Sequence, residues 1–405
     1  MPSSASDRRW SVALVVGAAI AVSYLDRQTL PVAIAEIQKE IPITNTQFAQ
    51  LGSAFLFAYA IMYAVGGRLM DLLGTRTGFT LIMVAWSLAC AGHGFASNFA
   101  TLAICRFLLG MGEGGGFPAA TKVIAEWFPV RERSTAMGII NSGTAIGGIA
   151  APPFIAAVIG AYGWRWVFFL TGITGIAWAA WWLATYSIPP ALAEEKKEPA
   201  VPWLSLITNR NVMALVTAKF LSDAGWYFYL FWLPKYLYDV RGFDTKQVGY
   251  FAWIPFVAAG LGSLLGGWFS SRLIHQGRPL HLARRIAMGS AASMMPLMAL
   301  VTQAPNSWVI VLFSIAYFGQ QAYSTVLMIL PTDLFPRRAV GAVAGLVGFG
   351  GAMGGVVFGQ VVGWMLDHGT GYGPVFAIVS TFHVISFLIL LLFIPKSAFA
   401  GADTR

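Results

Sequence analysis

Twelve stretches of this 405-residue chain stay apolar for about twenty residues or more, and that settles the solvent before it settles the fold. They run over 10–36, 47–70, 77–96, 99–125, 134–160, 164–186, 209–238, 247–271, 283–303, 307–331, 339–366 and 374–395. In hydrocarbon every backbone polar group must find its partner within the segment, so runs of this kind fold as helices. Composition agrees: 57% of residues are hydrophobic and only 11% are charged, against about 25% charged in a soluble domain. Too few charges remain to cover a soluble surface. The expected class is an all-α integral membrane protein with twelve transmembrane helices.

The polar breaks between the runs, such as EIQKEIPITN, EWFPVRERS and HQGRPLHLARR, are short. One is longer, SIPPALAEEKKEPAVPWLSLIT at 187–208, and it falls mid-chain. It separates an N-terminal six-helix bundle (1–186) from a C-terminal one (209–405). Lysine and arginine set orientation, because cytoplasmic loops carry the excess. Seventeen lie at the termini and in even-numbered loops, five on the opposite side (Lys39, Arg165, Lys235, Arg241, Lys246), and four within spans. Both termini are therefore expected in the cytoplasm of a bacterial-type inner membrane. The formal net charge of +9 is mostly this bias and not a nucleic-acid footprint, since no basic block interleaves with stacking aromatics. The first apolar run lacks an A-x-A-like cleavage site and holds Asp26–Arg27, so it reads as a retained helix.

The halves echo each other. GGRLMDLLGTR (66–76) and GGWFSSRLIHQGR (266–278) follow the second and eighth runs; EWFPVRERSTAMG (126–138) and DLFPRRAVGAVAG (333–345) follow the fourth and tenth. A parallel duplication of six helices accounts for both, and membrane transporters built this way bind substrate between the halves at mid-membrane. With the central linker and the Gly-x-Leu-x-Asp-x-x-Gly-x-Arg loop at 67–76, the chain resembles the major facilitator superfamily. Within it, YLDRQTL (24–30), SAFLFAYAI (53–61), CRFLLGMGEGGGFPA (105–119), EWFPVRERS (126–134) and INSGTAIG (140–147) resemble the anion:cation symporter family. KFLSDAGWYFYLFWLP (219–234) and YFAWIPF (250–256) look most like its hexuronate-transporter branch. The 67–76 loop implies a conformational latch through Gly67, Asp71, Gly74 and Arg76, although Leu72 and Thr75 stand where that loop is usually basic.

Charges inside the runs carry the chemistry. One at the centre of a spanning helix costs about 2.5–3.5 kcal/mol on insertion scales, yet the chain keeps Asp26, Arg27, Arg106, Glu113, Lys219 and Asp223 there. Asp223 stands four residues after Lys219, so structural neutralisation explains that pair as well as function does. Arg106 and Glu113 share a face but lie about 10 Å apart, so each needs its own partner or water. Adjacent Asp26 and Arg27 point about 100° apart and cannot serve one spot. Arginine stays charged when buried, and an unpaired one is a standing anion site whose planar fork matches a carboxylate. Desolvation and a neighbouring arginine act on a carboxyl group in opposite senses, so an acid beside such a site can exchange its proton as an anion comes and goes. The resemblance implies the same division: Arg27 and Arg106 for substrate, Asp26 and Glu113 for protons, Lys219 as a third carboxylate contact. Asp223 remains a further candidate for the proton.

Tyr24, Tyr59, Asn141, Thr144, Gln320 and Gln321 add hydrogen-bonding groups, and Trp226 and Tyr227 offer faces for a sugar ring. Each also serves as interhelical glue or an interfacial aromatic; as a set they favour a polyhydroxy acid over an inorganic anion. The substrate reading is thus an organic anion, most simply a hexuronate or related sugar acid, imported with protons. The rival is an uncoupled uniporter or exchanger of small carboxylates. Five scattered histidines, no H-E-x-x-H, no G-x-S-x-G and no G-K-[ST] weigh against an enzyme or an ATP-driven pump. Cys90 and Cys105 suggest neither a disulfide nor a metal. The expected partners are the bilayer, the anion and protons, with no cofactor, and a monomer suffices.

Overall fold

A computed structural model describes residues 5–128, 133–187 and 203–399, and among these every regular element is helical. The elements are α1 (Ala5–Gln38), α2 (Asn45–Leu73), α3 (Thr75–Gly92), α4 (Phe99–Glu113), α5 (Gly116–Trp127), α6 (Arg133–Tyr162) and α7 (Trp164–Thr185). They continue with α8 (Trp203–Ile207), α9 (Arg210–Asp239), α10 (Thr245–Phe251), α11 (Ile254–His275), α12 (Leu280–Ala292), α13 (Asn306–Leu334), α14 (Arg337–Asp367) and α15 (Tyr372–Phe393). Short 3-10 turns follow α3 (His93–Phe95), α12 (Met295–Leu300) and α15 (Lys396–Phe399). Helix therefore fills each expected run. Eight spans, counted among the described residues, are long and apolar enough to cross a membrane.

Three runs expected as single helices are divided. The fourth breaks at Gly114–Gly115, inside GMGEGGG, where residues without a side chain give the helix little to hold it straight. The eighth breaks at Ala252–Trp253, and the ninth passes from α12 into its 3-10 turn. Helix starts follow their local chemistry. Thr44 and Gln47 form a reciprocal capping box at α2, as do Asn98 and Thr101 at α4 and Asp244 and Gln247 at α10.

The helices gather into two compact units. The first holds α1–α7 together with Pro234–Trp253, the end of α9 and all of α10; the second holds α8, α9 up to Leu233, and α11–α15. Most of the linker at 187–208 lies outside the described residues. The segment from Pro234 joins the first unit through specific contacts. Tyr238 donates to the Val32 carbonyl at 2.6 Å, and Thr245 Oγ1 donates to Glu36 at 3.2 Å. Lys235, counted above with a loop, lies inside α9, buried and ion-paired with Asp239 at 2.7 Å.

Packing in the first unit depends on bare backbone. Where α6 crosses α1, a Cβ on Gly143 would stand 2.2 Å from the Gly17 carbonyl oxygen, and one on Gly147 2.2 Å from that of Ala21. Gly143→Val is expected to force these helices apart at a cost of about 1–3 kcal/mol or more. The check is the thermal transition of detergent-purified protein; an unchanged Tm would refute the contact.

Candidate functional site

Among the described residues, each unit encloses a buried polar cluster. In the first, Ser23 and Arg27 stand one turn apart on α1, and both reach Glu113 at the end of α4. Arg27 Nε and Ser23 Oγ each donate to Glu113 Oε2 at 2.7 Å. The Arg27 guanidinium also lies over the rings of Tyr24 (4.8 Å), Tyr59 (4.6 Å) and Phe55 (5.4 Å). Tyr24, Arg27 and Tyr59 are thus brought together as a cation walled by aromatic faces. The reading of Arg27 as unpaired is corrected: it is buried against Glu113, a partner 86 residues away in the chain.

Asp26 turns the other way. Its Oδ1 lies 3.6 Å from Cys90 Sγ on α3, which stands 3.1 Å from Thr171 Oγ1 on α7. Arg106 on α4 is 2% exposed, and its Nε and Nη2 are buried without a hydrogen-bond partner among the described residues. Asp26 Oδ2 and Glu113 Oε1 are in the same condition. Arg106 sits within electrostatic reach of both acids. Two positive and two negative side chains thus share one buried cluster, and Arg106 holds N–H donors in reserve. Buried polar groups are nearly always bonded to something, so these donors suit a ligand or ordered water.

In the second unit, Lys219 Nζ on α9 bonds Asp223 Oδ1 at 3.0 Å and Ser324 Oγ at 2.8 Å. The i,i+4 pairing left open above is therefore made. Gln320 on α13 donates to Asp223 Oδ1 at 3.4 Å, and its carbonyl oxygen meets His383 Nε2 on α15. Behind them Tyr323 OH and Ser386 Oγ are 2.7 Å apart. A Cβ on Gly351 would come 2.3 Å from Asp223 Oδ2, so α14 presents bare backbone there to seat the acid. Trp226 and Tyr227 are buried, with Trp226 edge-on to Tyr317 and Tyr227 stacked along Phe231. Gln321 is half-buried on α13, and its main-chain carbonyl accepts from Thr325 Oγ1 at 2.8 Å. Asn141 is exposed on α6 and Thr144 returns its hydroxyl to the Asn141 carbonyl, so neither hydrogen-bonds to a cluster.

Of the latch residues, Gly67 and Asp71 fall within α2, with their surroundings outside the described residues. Gly74 links α2 to α3, and Arg76 Nη2 donates to the Leu183 carbonyl at 2.6 Å. The sequence reading missed Glu126, which accepts from Thr75 at 2.6 Å and from Tyr186 at 2.7 Å. Its counterpart Asp333 pairs with Arg284 Nε at 2.9 Å, and Arg284 Nη1 also reaches Ser270 Oγ at 2.9 Å. The two acidic-x-Phe-Pro motifs thus do one job in each half, tying the end of the fourth or tenth run to the helix that follows the second or eighth. His383, Cys90, Thr171 and His93 were also missed; polar residues recurring on an apolar helix, as in Ser380, His383 and Ser386, were the available signal.

A chain whose described elements are all helical, with spanning helices, echoing halves and buried charges in both, has the form of a polytopic membrane transporter. It belongs to the Major Facilitator Superfamily, whose family model matches residues 16–302. It is 29% identical to the hexuronate transporter of Escherichia coli strain K12 over 409 residues, covering 94% of this chain and 93% of that protein. It is also 29% identical to the D-galactonate transporter of Escherichia coli O6:H1 over 415 residues, covering 96% of each. In fold it matches a bacterial homologue of the human lysosomal transporter Spinster, with a TM-score of 0.74, 17% identity, and coverage of 97% of this chain and 96% of that one. The chain is an integral, multi-pass membrane protein and not an enzyme.

Proposed function

We propose that this protein is a proton-coupled symporter that imports an organic anion, a hexuronate or related sugar acid, by alternating access. The observation that carries the reading is the buried guanidinium of Arg106 with two N–H-bearing nitrogens unbonded, beside acids that also keep free oxygens. A carboxylate satisfies such a fork by two parallel charge-assisted hydrogen bonds. The full-length similarity to hexuronate and galactonate transporters supports a sugar acid.

In this mechanism the first half (1–186) supplies Arg27 and Arg106, and the second (209–405) supplies Lys219. Each of Arg27 and Lys219 waits against an internal counter-ion, Glu113 and Asp223. An arriving carboxylate competes with that counter-ion for the cation. The displaced acid then holds a negative charge in a desolvated place and takes a proton. On release the ion pair re-forms and expels it. Asp26, about 100° around α1 from Arg27, is a third coupling acid. Tyr24, Tyr59, Trp226, Gln320 and Gln321 are assigned to the sugar portion. Asn141 and Thr144 join them as substrate contacts from α6, and Gly67, Asp71, Gly74 and Arg76 form the latch. The protein works as a monomer in a bacterial inner membrane with both termini cytoplasmic.

The test is uptake by proteoliposomes of galacturonate, glucuronate, galactonate and small monocarboxylates, with and without an inward proton gradient. Sugar acids are expected to accumulate only when the gradient is present. Equal uptake without it would establish an uncoupled carrier, and preference for the small monocarboxylates would remove the sugar-acid assignment.

A further inference from the structure

The buried atoms without partners in the first unit extend past the residues that the transport reading uses. Asp26 Oδ2, Arg106 Nε and Nη2, and Glu113 Oε1 belong to it; His93 Nε2 does not. His93 follows α3 directly and is fully buried, yet Phe95, two residues on, is exposed, and so is Asn98 at the start of α4. It therefore stands about one helical turn from the surface at the end of the unit that carries the loop between α1 and α2, where Arg165 and Trp164 hold Glu40.

The geometry of the ring is specific. Nδ1 faces the carbonyl oxygens of Ala89 (2.9 Å) and Cys90 (3.2 Å), which only accept, so Nδ1 carries the hydrogen and neutral His93 presents Nε2 as a bare acceptor. Its face stacks on Phe168 of α7 at 4.9 Å, with the planes 9° apart. On α3 itself, Cys90 lies one turn back and touches Asp26 of α1 and Thr171 of α7. From α4, Arg106 is the charged group that acts on the ring, and Glu113 stands beyond it. Phe168 is the apolar wall. Packing alone does not call for histidine here, because phenylalanine makes the same stack and leaves no acceptor unsatisfied. An unbonded buried acceptor costs about 1–3 kcal/mol, and the small polar species that relieves such groups inside proteins is water.

We infer that His93 is a proton-relay residue: water sites lead from the surface end of α3 to His93 Nε2 and on to Arg106 and Asp26, giving protons a route of their own to the coupling acid. In the step proposed, Nε2 takes a proton from the water site it faces on the surface side, and that same site, refilled by a neutral water, takes the proton back and passes it on toward Arg106. Nδ1–H stays on its two carbonyls throughout, so the ring need not flip. The proton ends on Asp26 Oδ2, where carboxylate becomes carboxylic acid, and no other bond changes. This inference rests on the proton-coupled reading above.

The experiment uses full-length protein in proteoliposomes with a pH-sensitive dye trapped inside and galacturonate outside. His93→Phe keeps the stack on Phe168 and removes Nε2. His93→Gln keeps hydrogen bonds to water but cannot take up a proton. Both variants are expected to slow galacturonate-driven acidification by at least about tenfold, while counterflow of labelled galacturonate at equal pH changes by less than about twofold. Acidification at the wild-type rate in both variants overturns the inference alone. A parallel fall in counterflow also overturns it, because His93 would then be a packing residue. If wild-type protein shows no galacturonate-driven acidification, the proton-coupled reading fails and the relay fails with it.

Discussion

Arg106→Ala is expected to abolish sugar-acid binding. The buried guanidinium offers Nε and Nη2 with no partner among the described residues, so a carboxylate can take both and leave none of the described bonds broken. Removing one partner from a desolvated charge pair costs about 3–5 kcal/mol, and each 1.4 kcal/mol is a factor of about ten in affinity. The dissociation constant should rise on the order of 10²- to 10³-fold. Arg106→Lys restores the charge but not the fork, because an ammonium is a point charge without two parallel donors; a loss of about tenfold or more should remain. Calorimetric titration of purified protein checks both, with the Tm of each variant measured alongside. Wild-type affinity in Arg106→Lys would remove the carboxylate clamp from the mechanism. Arg27→Ala should be as damaging for a different reason, since it strands Glu113 as a buried charge without its ion-pair partner.

The second large effect concerns coupling, not affinity. In Glu113→Gln an amide oxygen can still accept from Arg27 and Ser23, whose donor atoms now stand 2.7 Å from Oε2. The cluster keeps its shape and loses a titrating group. Counterflow of labelled sugar acid should therefore continue, because the arginines remain and the carrier can still alternate. Accumulation driven by an imposed pH gradient should vanish, because one proton site no longer fills and empties. Both measurements belong in the same proteoliposomes. Undiminished pH-driven accumulation would take Glu113 out of the mechanism and leave Asp26 or Asp223 as the coupling acid.

The parts of this molecule that were legible in its sequence are those written over short distances. An apolar run of about twenty residues announces a helix wherever it sits, and helix fills every one of the twelve runs. Lys219 and Asp223 stand four residues apart on one helix, and they meet. What escaped needed either burial or packing to be seen. Nothing near Arg27 in the chain points to Glu113; the fold brings them together from 86 residues apart. Asp26 was placed correctly off the Arg27 face, but its neighbours Cys90 and Thr171 come from two other helices. His383 looked like one scattered histidine among five until α15 was seen to pack it against Gln320. The helix breaks at Gly114 and Trp253 were hidden for the opposite reason: hydropathy is averaged over a span, and a break is the business of two residues.

The matched carboxylates Glu126 and Asp333 bear on how this protein came to be. A gene that doubles starts with identical copies, and nothing obliges later mutation to treat them alike. Here the older equality has lapsed. Glu126 is served by two neutral hydroxyls, from Thr75 and Tyr186, whereas Asp333 is gripped by a guanidinium. Both acids accept charge-assisted hydrogen bonds, but among the described residues only Asp333 meets a partner of opposite charge. A duplication origin accounts for an acid kept at the same place in both halves, and separate histories since then account for its being held by hydroxyls in one and by a guanidinium in the other.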